Sequence, residues 1–104
     1  MRSQLSIEWL VETLDGPLSE DPDIIEVQHC QTYAQARRWA DDIEVNVGVY
    51  AQIGLVRDRG NEADGLICRS WAYIEDGVLP EFFEDAYGNK VAVVPARYRR
   101  EIAA

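Results

Sequence analysis

Apolar and polar residues alternate along Asn46–Val56. Val47, Val49, Ala51, Ile53 and Leu55 fall on one side, and Asn46, Gly48, Tyr50, Gln52 and Gly54 on the other. A period of two predicts a strand. A polar connector follows over Arg57–Gly65, rich in the Gly, Asn and Asp that turns favour. A second alternating run, Leu66–Glu75, completes an antiparallel hairpin. With Leu55 opposite Leu66, the apolar set gains Leu66, Cys68, Ser70, Ala72 and Ile74. The reverse face then pairs Tyr50 with Trp71, Gln52 with Arg69 and Gly48 with Tyr73. Cross-strand aromatic pairs are favourable, and a one-residue slip would mix the two sets.

The pattern changes period after residue 31. Tyr33, Ala36, Ala40 and Ile43 form one helical stripe, with Trp39 beside it and Arg37, Arg38, Asp41 and Asp42 facing water. Thr32 followed by Gln35 has the spacing of a capping box. Arg37–Asp41 and Arg38–Asp42 are spaced as i, i+4 ion pairs. The two alanines let this helix approach the hairpin's apolar face closely, with Trp39 sealing one side of the contact.

Upstream, residues 1–4 are expected to be loose. Leu5–Leu14 fits two periods: Ile7, Leu10, Val11 and Leu14 at helical spacing, and Ile7, Trp9, Val11 and Thr13 in alternation. The residue types and the need of strand Ile24–Cys30 for a neighbour favour a strand. Asp15–Asp23 is a turn-rich linker, punctuated by Gly16-Pro17 and Asp21-Pro22. Downstream, Glu75-Asp76-Gly77 marks a tight turn. Residues 81–85 and 90–94 can form a small second hairpin, Pro95 closes it, and Ala96–Ile102 reads as a terminal helix. The predicted fold is α+β: an antiparallel sheet of about four or five strands with one main helix on one face, in the order β-β-α-β-β plus a small C-terminal β unit.

Length and charge narrow the classes. A chain of 104 residues fits a single domain. The formal net charge is −9, concentrated early: residues 1–30 carry one Arg against seven acids. Such a field opposes phosphate backbones and anionic lipid, favours solubility and suits a basic partner. No apolar run is long enough to span a bilayer, so no membrane role and a cytoplasmic location are expected. In a reducing compartment Cys30 and Cys68 are expected as free, buried thiols.

Few constellations carry chemistry. His29 and Cys30 are strand neighbours and point to opposite faces, so the imidazole is poorly placed to activate the thiol. His29 acting with a carboxylate, Glu26 or Glu75, is one enzymatic alternative. Arg97, Arg99 and Arg100 around Tyr98 form the one basic cluster, which the negative charge disfavours as a nucleic-acid site. The acidic Asp15–Asp23 segment lacks the spacing of a calcium loop. No cofactor, metal or catalytic motif is evident. The remaining candidate is the aromatic face of the hairpin, Tyr50, Arg69, Trp71 and Tyr73, whose composition is that of binding hot spots. It is expected to be covered by Phe82, Phe83 and the C-terminal unit, or else to serve a protein partner or a homodimer. The leading expectation is a non-catalytic protein-binding or regulatory module. The alternatives are the His29 enzyme and an acidic mimic of nucleic acid that inhibits a basic protein.

Overall fold

The computed structural model describes residues 3–61 and 66–103. The element order begins with strand β1 (Ser3–Leu14), β2 (Ile24–Cys30), helix α1 (Tyr33–Asp42) and β3 (Tyr50–Asn61). It continues with β4 (Leu66–Tyr73), β5 (Phe82–Glu84), β6 (Lys90–Val93) and helix α2 (Ala96–Ala103). The six strands form one antiparallel sheet in the order β2-β1-β3-β4-β5-β6. This is the expected α+β fold. The small C-terminal hairpin joins the main sheet, which raises the strand count to six. The chain forms two compact units, Trp9–Gly54 and Leu55–Ala104 with Met1–Glu8. Among the described residues no helix is long and apolar enough to cross a membrane.

In the first unit, β1 runs antiparallel to β2 with Trp9 opposite Cys30 and Val11 opposite Gln28. Every residue from Trp9 to Leu14 is buried, whichever face it points to. Burial on both faces explains why two periods could be read there: a strand covered on both sides need not alternate. The Asp15–Asp23 connector is clamped at its base, where Asp23 N–H donates to the Asp15 carboxylate at 2.9 Å and Asp15 N–H to the Asp23 carbonyl at 3.1 Å.

Helix α1 starts as its sequence predicts. The Thr32 hydroxyl accepts from Gln35 N–H at 3.2 Å, and the Gln35 side chain reaches back to Gln31 N–H at 3.0 Å, one residue beyond the usual box. Ala36 and Ala40 are buried. The Tyr33 ring meets Trp9 at a tilt of 53°, with centroids 5.2 Å apart. Arg37 and Asp41 pair at 3.0 Å. Asp42 does not take Arg38; it accepts from the Asn46 side chain. Trp39 seals nothing, being 46% exposed.

The start of the hairpin differs from expectation. Ile43–Val47 continues α1 as a π-turn, and β3 begins at Tyr50 instead of Asn46. The cause is Gly48. Its φ of +79° is open to glycine at little cost, and its N–H closes on the Ile43 carbonyl at 3.0 Å. Val47 is thereby left 65% exposed instead of facing a core.

In the second unit, β3 extends to Asn61, so much of the expected connector is strand. The Ser70 hydroxyl donates to the Arg57 carbonyl at 3.5 Å, and the Arg69 guanidinium grips Asp58. These bonds set residues 57–58 beside 69–70, a longer ribbon than the Leu55–Leu66 register gives. The Gln52 amide is engaged elsewhere, donating to buried Glu12 at 3.0 Å. Cys68 is exposed, not a core thiol, because residues 67–69 precede the buried stretch that starts at Ser70. Residues 62–65, Met1 and Arg2, and the facing of the Leu66 side chain lie outside the described residues; Ser3 and Gln4 belong to β1.

Candidate binding groove

Strand β4 splits its side chains cleanly. Ala72 is buried at 1% exposure, while its neighbours Trp71 and Tyr73 point the other way and are half-buried. Strand β5 does the same: Phe83 is fully buried, and Phe82 and Glu84 flank it on the opposite side. Trp71 sits directly across from Glu84. The two strands therefore set Trp71, Tyr73, Phe82 and Glu84 on one face.

The chain then closes the ends of that face. Asp76 and Gly77 both have positive φ, +52° and +76°, as the centre of a type I′ turn demands. The turn brings Glu75 and Val78 into mutual backbone hydrogen bonds at 3.0 and 2.9 Å. Past β5, the Asp85 carboxylate holds the next turn. It accepts from Tyr87 N–H and Asn89 N–H, both at 2.9 Å, and from the Asn89 side chain at 3.4 Å. The result is a groove of about 430 Å³ with Trp71, Tyr73, Phe82, Val78 and Pro80 as apolar walls and Glu75, Glu84 and Asp85 as its acids. Lys90, opposite Glu84, places its Nζ 5.1 Å from the centre of the Phe82 ring.

The hydrogen bond from Asn89 N–H, with those from Tyr87 N–H and the Asn89 side chain, lowers the Asp85 pKa from the usual carboxylate value. A depressed folded-state pKa stabilises the turn above the ordinary carboxylate range and is lost as pH falls through the lowered value. Carboxyl NMR titration should find Asp85 protonating at lower pH than a free Asp side chain. In Asp85→Asn this acid-sensitive step should vanish. An ordinary midpoint would mean that the turn does not depend on the carboxylate.

Two of the four residues singled out in the sequence, Trp71 and Tyr73, thus meet in the groove. Arg69 lies on the same strand but is committed to Asp58, with bonds of 2.7 and 2.9 Å, and this bond raises its pKa. Tyr50 opens β3 and is half-exposed. Phe82 and Phe83 do not fold back over β4. Their strand docks beside it, because β5 hydrogen-bonds to the free side of β4. Glu75, Glu84 and Asp85 were not identified as partners of the aromatics. The signal that could have found them is the β4–β5 pairing, which spans a long turn and leaves no local trace.

A second groove, of about 530 Å³, lies along the end of β2 and is lined by Gln28, His29, Cys30, Gln35, Arg38, Trp39 and Asp42. Burial raises the pKa of the Cys30 thiol, which keeps it protonated and a poor nucleophile. Glu26 is three residues before His29 on the same strand and so projects from the other face, while Glu75 belongs to the first groove. Among the described residues no three His, Cys, Asp or Glu side chains are placed to hold a metal. In α2, Tyr98 is buried, Arg97 stacks 4.7 Å from its ring centre, and Arg97 Nη2 donates to its hydroxyl at 2.6 Å. That tyrosine offers no open stacking surface for a base.

No protein family matches this chain, and no match is found among curated proteins or solved structures.

Proposed function

We propose that this chain is a non-catalytic binding module that takes a cationic side chain of a basic protein segment into the Trp71–Phe82 groove. The observation that carries the reading is the placement of three aromatic side chains and three acids around one open cleft. Aromatic faces attract Arg and Lys through the ring quadrupole, and desolvation strengthens that attraction. Carboxylates at the rim add charge-assisted hydrogen bonds to a guanidinium. The formal charge of −9 steers basic segments toward the surface and speeds their encounter. Trp71 is the anchor, being large, rigid and paired with Glu84.

The test is calorimetric titration of the full chain with an Arg-rich peptide. Binding should weaken as salt rises. Trp71→Ala should weaken it about tenfold or more, and the double substitution Glu75→Gln/Glu84→Gln should act in the same direction while circular dichroism stays unchanged. The reading fails if the peptide does not bind, or if both variants bind it as the parent does.

A further inference from the structure

Strand β2 ends the sheet order, so its outer side presents backbone donors and acceptors that no strand among the described residues pairs. Edge strands are normally guarded by a Lys, a Pro, a bulge or a covering segment. Ile24–Cys30 contains no Lys and no Pro; its one irregularity is a shift of register at Ile25, and from Glu26 to Cys30 it pairs with β1 residue for residue. Ile24, Ile25 and Val27 are 50%, 60% and 45% exposed. The groove between this strand and α1 holds Trp39, which is also half-exposed, and Arg38, for which no described carboxylate is a partner.

We infer that β2 pairs antiparallel with β2 of a second copy of the chain, about a two-fold axis at Val27. The register follows from overlap and charge. Full overlap of the seven residues sets Val27 against the partner's Val27, Glu26 against the partner's Gln28 and Cys30 against the partner's Ile24. An axis at Glu26 would put two carboxylates face to face, which is unfavourable. An axis at Gln28 would leave Ile24 and Ile25 unpaired. Directly opposed residues share a sheet face. Gln28 and Cys30 line the α1 side of the sheet, and Glu26, opposite Thr13 as Gln28 is opposite Val11, shares that side. The partner's Glu26, opposite Gln28, arrives beside Arg38. Symmetry makes each contact twice, and the two Arg38–Glu26 contacts oppose the repulsion of two chains that each carry −9.

The test is sedimentation equilibrium of the full chain with its thiols kept reduced. The parent should sediment as a dimer. Arg38→Glu and Glu26→Arg should each weaken dimerisation about tenfold or more, and the double exchange Arg38→Glu/Glu26→Arg should restore it. Val27→Lys, which sets two ammonium groups opposite each other, should give a monomer with unchanged circular dichroism, whereas Trp71→Ala should leave the dimer intact. A parent that stays monomeric at millimolar concentration overturns the inference. So does a dimer indifferent to Val27→Lys, or a double exchange that associates no better than either single variant.

Discussion

Replacing Trp9 by alanine should lower the unfolding free energy by about 3–5 kcal/mol. The indole is 1% exposed and its ring meets Tyr33 at 5.2 Å. It stands at the start of six consecutive buried residues of β1, Trp9 to Leu14. A cavity there cannot drain into solvent, and the surrounding strand can collapse only partly. For a chain of this size the loss corresponds to about 15 °C or more in Tm. It would consume a large share of a typical total stability of about 5–15 kcal/mol. Trp9→Phe keeps much of the volume and should lose less. Urea denaturation followed by circular dichroism measures both. A loss below about 1 kcal/mol for Trp9→Ala, the range of an ordinary surface change, would contradict this placement.

Phe83→Ala should cost a similar amount, about 3–5 kcal/mol, and should also weaken the groove. Phe83 is the middle of a three-residue strand and is fully buried. On either side of it, Phe82 and Glu84 face the groove. The buried ring is therefore what holds two groove residues in register with Trp71. Stability should fall, and affinity for the Arg-rich peptide should fall with it, at temperatures where the variant is still folded. Phe83→Leu should retain more of both. If Phe83→Ala were fully folded and bound the peptide as tightly as the parent, the groove would not depend on β5.

Local structure in this sequence is legible wherever a neighbour in the chain decides the outcome. Thr32 and Gln35 announced the start of α1, and the alternation of Trp71, Ala72 and Tyr73 gave their two faces. The pairing of residues 81–85 with 90–94 was visible in their brevity and intervening turn, and appears as β5 and β6. Structure and sequence pattern part where one residue's backbone or a distant partner decides. Gly48 could serve either as a strand residue under a ring or as a left-handed helix stop; its φ of +79° chose the second and moved the start of β3. Glu12, an acid in the middle of a strand, is buried because Gln52, forty residues away, supplies a donor. The groove was half legible for the same reason. Trp71 and Tyr73 are neighbours in sequence, but Glu84 reaches Trp71 only through pairing across the turn at Asp76-Gly77.

The sheet's two margins are built differently, and this limits how far association can run. At the β6 margin there are only four residues, beginning with Lys90, and Pro95 stands two positions beyond. Stacked fibrils draw on segments of about six or seven residues without such interruptions. Growth into a filament needs an adhesive border at both ends of each protomer, and here one border is blunted. In the proposed dimer β2 occupies the other, so assembly by strand addition would terminate at two chains.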